Sequence, residues 1–111
     1  MTGSANPSLI ARLNDHLRQT FTGGKVVMTA SVATLPDFEQ ARVIEAVRAF
    51  NAFSEDNDPY GEHDFGSFSI AGTTFFWKID YYDRALEYGS ENPADPEITT
   101  RVLTIMTAAD Y

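Results

Sequence analysis

The chain has 111 residues, no cysteine and a net charge of −8. That length is typical of one domain, and the absence of cysteine excludes disulfides, thiol nucleophiles and cysteine-ligated zinc. The acidity disfavours direct binding to nucleic-acid phosphates, which takes clustered Lys and Arg.

A chain of this size buries roughly 65% of its unfolded surface, enough for one core. No apolar stretch approaches the ~20 residues of a membrane span. The opening MTGSANPSLIAR has neither the basic segment nor the long apolar run of a secretory signal. The expectation is a cytoplasmic protein without a membrane segment, with one α+β domain over residues 1–111 and loose ends at 1–6 and 108–111.

Asn6-Pro7 suits a helix start, because Asn can accept from free N–H groups and Pro fits the first turn. Leu9, Ile10, Leu13, Leu17 and Phe21 follow at helical spacing, and Gly23-Gly24 stops the helix. His16 falls near the apolar edge and reads as a surface or partly buried histidine. Lys25–Ala33 is rich in β-branched residues and reads as a strand with Val26, Met28, Ala30 and Val32 on one face. Thr34-Leu-Pro-Asp37 then supplies a cap, a first-turn Pro and an N-terminal acid for a second helix running to about Phe53. Val43, Ala46, Val47, Phe50 and Phe53 share one arc of it.

The connection that follows, Ser54–Gly66, carries Glu55, Asp56, Asp58, Glu62 and Asp64 together with His63, one Pro and two Gly. Loops this polar are where function usually sits. Phe65–Ala71 and Thr74–Tyr82, split by Gly72-Thr73, read as a hairpin. Phe75, Trp77, Ile79 and Tyr81 fall on one face of its second strand; Phe76, Lys78, Asp80 and Tyr82 fall on the other. That mixed second face suggests a partly covered surface or a groove wall.

Residues 80–97 hold six acids against Arg84, and three turn signals (Gly89-Ser90, Asn92-Pro93, Asp95-Pro96) mark a long connection. A short helical turn over Arg84–Tyr88 would shorten it. Ile98–Thr107 fits a helix by spacing, but five β-branched or Thr residues in its first seven positions favour a strand. The architecture expected is helix, strand, helix and three mainly antiparallel strands, with the helices on one face of a four-stranded sheet.

Asp56-Asn-Asp58-Pro-Tyr-Gly61 matches the opening of a calcium loop, with Asp64 as a further oxygen donor. Yet Tyr60 stands at the fifth position and Ser67 at the twelfth, where bidentate Glu belongs. A Pro-Gly turn with solvated acids is the simpler reading, so no cofactor is expected and a divalent cation is the alternative. Glu62-His63-Asp64, with Asp80, offers a general acid/base or mixed metal-ligand set. In an extended segment, however, Glu62 and Asp64 point away from His63. No nucleophile elbow, H-E-x-x-H pair or phosphate-cradling loop accompanies them.

The function that fits these features is a non-enzymatic interaction module whose acidic loops, 54–66 and 80–97, meet a basic protein surface or a cationic ligand. Its binding surface would comprise Asp56, Asp58, Tyr60, Glu62, His63, Asp64, Lys78, Asp80 and Tyr82. The rivals are a small metal-assisted or acid/base enzyme using His63, Glu62, Asp64 and Asp80, and an acidic inhibitor that imitates nucleic-acid phosphates. Oligomeric state is open at this level.

The phrases GGKVVMT, NDPYGEHDFG, FFWKIDYYD and NPADPEITTRVLTIM together resemble a family of small bacterial proteins, domain-of-unknown-function family thirty-seven sixty-eight, frequent in alphaproteobacteria and their plasmids. The resemblance runs from about Leu13 to Tyr111. It carries no activity, cofactor or catalytic residue, and implies a free-standing cytoplasmic bacterial domain with a link to mobile elements.

Overall fold

The computed structural model describes residues 7–111, so the expected cap at Asn6 and the loose end at 1–6 lie outside the described residues. Helix α1 spans Pro7–Thr20, strand β1 Lys25–Met28, helix α2 Ala30–Ala33 and helix α3 Asp37–Ala49. Strands β2 (Phe65–Ile70), β3 (Thr73–Tyr82) and β4 (Thr100–Thr107) follow, and Ala108–Asp110 closes the chain as a 3-10 turn. The four strands form one mixed sheet in the order β1-β4-β3-β2, so the fold is α+β.

Strand β3 sits at the centre because its alternation is the strongest in the chain. Phe75, Trp77 and Ile79 are buried, and pairing sets Trp77 beside Ile105 and Ile79 beside Leu103 of antiparallel β4. These side chains share one cluster with Leu17 of α1, Val32 of α2 and Val43 and Val47 of α3. Strand β1 joins the far edge of β4 in parallel, Lys25 opposite Val102.

Four expectations change. Only Lys25–Met28 is strand; Ala30–Ala33 is helical, because the Thr29 carbonyl accepts the N–H groups of Val32 and Ala33 at 3.0 and 2.9 Å. Thr34 therefore ends α2, its hydroxyl on the Ala30 carbonyl at 2.8 Å, rather than capping α3. Helix α3 stops at Ala49, not Phe53. Phe50 turns extended (φ −60°, ψ 131°), which lets the Phe50 and Phe53 rings meet Trp77 edge-on at 5.6 and 6.1 Å. The hairpin turns at Ala71-Gly72, one residue earlier than expected, with φ of 52° and 85°. Both central residues with positive φ match the twist of the paired strands, and Gly takes that conformation without strain.

The C-terminal residues are tied down as well. The Asp110 carboxylate accepts from Thr29, Ser31 and Thr107. The Tyr111 ring lies 5.1 Å from Phe76 and 6.0 Å from Phe65, covering part of the outer sheet face.

Gly66 is the tightest point of the sheet. A Cβ there would lie 2.4 Å from Trp77 Nε1 and 2.8 Å from Phe50 Cζ, both ring atoms with little room to yield. Gly66→Ala is expected to destabilise the fold by about 3 kcal/mol, the upper end of overpacking penalties, in urea unfolding. A loss within about 0.5 kcal/mol would contradict this packing.

Candidate functional site

The strand register collects the loops at one end. Strand β2 begins and β3 ends there (Phe65 opposite Lys78), and β4 begins opposite the end of β3 (Thr100 opposite Tyr82). Residues 54–64 and 83–99 therefore emerge from the same end of the sheet.

Beneath them lies a buried polar network built on α1. Asn14, 0% exposed, accepts from Arg101 Nε at 2.8 Å and donates both to the Glu62 carbonyl (3.0 Å) and to the Tyr81 hydroxyl (2.8 Å). The Tyr81 hydroxyl in turn donates to the Glu62 carboxylate at 2.9 Å. At the other end, Arg101 donates to the Pro93 carbonyl of the second acidic loop. One chain of donors and acceptors thus joins both loops through Asn14, with each bond polarising the next. Burial, first of all, holds the Tyr81 phenol well above its ordinary pKa and pulls Arg101 below its own.

Arg18 lies one turn further along α1 and is 1% exposed. It donates to the Val47 and Arg48 carbonyls at the end of α3 (both 3.1 Å) and to Asp15 at 2.9 Å. Its guanidinium stands 5.3 Å from the Trp77 ring and 5.6 Å from that of Phe53; its Nε alone has no hydrogen-bond partner. Placing a cation over desolvated rings partly compensates for the water it loses.

Asp15 also meets His63, whose Nδ1 is 3.0 and 3.1 Å from the two carboxylate oxygens. The imidazole stacks on Phe53 at 3.9 Å and 2° between planes, and its Nε2 is 3.7 Å from Asp58. His63 adopts φ 57°, a conformation that L-residues take only when their surroundings over-determine it. The surroundings here are Asp58, which accepts the backbone N–H groups of Glu62 and His63 at 3.1 and 3.2 Å. A cleft of about 560 Å³, lined in part by Arg12, Asp15, Gly61 and His63, opens beside the ring.

The expected site residues thus divide. His63 gathers Asp15 and Asp58, whereas Glu62 turns to Tyr81. Asp64 is half-buried, and Asp80 pairs with Lys78 at 3.0 Å. Among the described residues no hydrogen bond or ion pair links His63 to Glu62, Asp64 or Asp80. Tyr60 (79% exposed) and Tyr88 (73%) project from the two acidic loops, and Asp56 is exposed. Tyr82 is half-exposed. Asp58 turns its carboxylate onto its own loop, where it accepts from the Glu62 and His63 backbone. No group of three or more His, Asp or Glu among the described residues is placed to hold a metal ion.

Asn14, Asp15, Arg18 and Arg101 are absent from the sequence reading of the site. Two had a signal. At 100° per residue Asn14 falls about 40° from Ile10 and about 60° from Leu17, at the edge of the apolar arc, and Arg101 alternates inward with Leu103 and Ile105. A polar residue at such a position has to find partners.

Arg18→Ala leaves Asp15 with His63 as its one remaining partner among the described residues, and two carbonyls and two rings without their cation, and is expected to cost about 3 kcal/mol in denaturant unfolding. A cost below about 1 kcal/mol, that of an exposed pair, would contradict the buried role. Asp64 provides a pH test. Burial, then Glu62, raise its carboxyl above the ordinary 3.8, so the fold holds this proton more tightly than the unfolded chain does. The group then penalises stability fully above its folded pKa, and not at all below 3.8. Asp64→Asn should raise Tm at neutral pH, with the gain vanishing in acid; a gain that persists below the unperturbed value would point to another cause.

Residues 28–110 match the model of a family described as a protein of unknown function, DUF3768. No curated protein and no solved structure matches the chain. With that match spanning most of the sequence, the chain belongs to the DUF3768 family.

Proposed function

We propose that the protein is a non-enzymatic interaction module whose acidic end binds a basic protein surface. The observation that carries this reading is that both strongly acidic segments emerge from the same end of one sheet. Residues 55–64 and 80–97 each carry a net charge of −5. Tyr60, Tyr88 and Leu86 stand exposed among these acids, giving aromatic and aliphatic anchors inside a field that steers a cationic partner. The buried relay under the loops favours a preformed surface, which lowers the ordering cost of association. The reading needs no cofactor, and a cytoplasmic location would suit a cysteine-free chain.

A second reading has one observation in its favour: His63 and Asp15 form a hydrogen-bonded pair on the wall of a cleft, the geometry of a general base and its orienting carboxylate. Weighing against it, the other ring nitrogen already faces Asp58.

Titrating the protein with an arginine-rich peptide separates the two. The module reading expects amide shifts confined to residues 55–64 and 83–97. It also expects an affinity that falls steeply with salt, and a loss of about tenfold for Tyr60→Ala combined with Tyr88→Ala. Shifts spread evenly over every surface acid, or none at all, would sink it. A substrate screen that found turnover abolished by His63→Ala would favour the second reading.

A further inference from the structure

Helix α3 buries Val43 and Val47 and turns the opposite stripe outward. At 100° per residue, Phe38, Ala41, Arg42, Glu45, Ala46 and Ala49 share one face centred away from Val47. With Ile70 they line a shallow groove of about 500 Å³. Phe38 is 72% exposed, a large ring on the surface with the Arg42 guanidinium 6.0 Å from its centroid. Neither Arg42 nor Glu45 forms an ion pair among the described residues. An apolar face that carries one base and one acid, each without an ion pair, is the composition of a contact surface.

We propose that a second copy of the chain covers this face, with α3 packed antiparallel on the partner's α3 about a two-fold axis. In such a contact, residue i meets the partner's residue j while j meets the partner's i, and the two numbers have a constant sum along the helix. Setting Arg42 against the partner's Glu45 fixes that register. Ala41 then faces the partner's Ala46, and Phe38 faces the partner's Ala49, a large ring on a small residue. Each pair occurs twice by symmetry. Sliding the partner helix by one turn, which moves the axis two residues toward the helix start, sets Phe38 against the partner's Glu45 and Arg42 against the partner's Ala41. Sliding it one turn the other way carries Phe38 past the end of the partner's helix. One register therefore satisfies charge and size together. The face itself is electrically neutral, so the −8 of each chain resides elsewhere and is largely screened at physiological salt. A single helix pair is a small interface, so the dimer is a weak one, with Kd in the range of about 1–100 µM.

The test is sedimentation equilibrium of the full chain over a range of concentrations. The comparison set is Arg42→Glu, Glu45→Arg, the double charge swap, and an equimolar mixture of the two single variants. Both side chains are exposed, and thermal melts followed by circular dichroism would verify that each variant folds. The wild type is expected to dimerise. Each single reversal sets like charges together twice and should weaken association by about tenfold or more. The double swap restores both pairs, and the mixture restores them as a heterodimer. A wild type that stays monomeric up to about 1 mM overturns the proposal and leaves the face to a different occupant. So does dimerisation unaffected by the single reversals, or a mixture that fails to recover. None of these outcomes bears on the acidic end, because α3 contributes no residue to it.

Discussion

A guanidinium with almost no access to water can survive only where every direction offers a carbonyl, a carboxylate or a ring face. Arg18 meets most of that demand, its Nε excepted, by collecting its surroundings from four places. The end of α3 supplies two carbonyls, α1 supplies Asp15, the segment after α3 supplies Phe53, and β3 supplies Trp77. Much of the candidate site hangs on this one side chain. The Val47 and Arg48 carbonyls at the end of α3 accept from Arg18, and the chain leaves the helix extended at Phe50. Because Phe53 then lies flat beside the cation, its ring is available for His63 to stack on. Asp15, fixed by Arg18, meets the same imidazole from the other side. The first acidic loop is thereby anchored to the core through its histidine as well as through Glu62, which accepts from Tyr81.

The second anchor is Asn14, and its chemistry explains why an amide occupies the position. The relay needs one group that accepts from a cation and donates twice; Asn offers an acceptor oxygen and two N–H donors. Arg101, Glu62 and Tyr81 use all three. An Asp there could accept from Arg101 but could not donate to Tyr81, whose proton is committed to Glu62. A Leu would leave Arg101 buried beside an unpaired carbonyl. Satisfied in full, such a network favours one arrangement of the loops over many.

The readable parts of the sequence were those whose signal is local and periodic. The alternation of Phe75, Trp77, Ile79 and Tyr81, the turn residues near Gly72 and the β-branched run at 98–104 all identified strands. Lys25–Ala33 failed because Ala30–Ala33 has no strong preference of its own; contacts 81 and 79 residues away, from Thr29 and Ser31 to Asp110, accompany its helical turn. The site was half legible. A loop dense in acids around a histidine drew attention to His63, but its partners Asp15 and Asp58 arise from a helix 48 residues earlier and from a turn that folds back on itself. Glu62 and Asp64, adjacent in sequence, took no part in the histidine's contacts. Chemical density along a chain marks a segment; convergence depends on the tertiary path, which neighbouring letters do not encode.

Placing two segments of −5 at the same end of a sheet works against folding, because like charges gathered on one surface repel. At Asp64 burial first, and then repulsion from Glu62, Asp58 and Asp80, push the carboxyl toward the neutral form. The repulsion is only partly neutralised on the surface: Lys78 pairs with Asp80 at 3.0 Å, while Arg84 is the single Lys or Arg within residues 80–97 and residues 55–64 contain none. Arg18 and Arg101 lie beneath the loops and are occupied by carbonyls, Asn14 and Asp15. The fold therefore holds the loops together by burial and hydrogen bonding while leaving much of their outward charge without an ion pair. Under the proposed function, a basic surface docking there would relieve that repulsion, and part of the driving force for association would then reside in the unbound state.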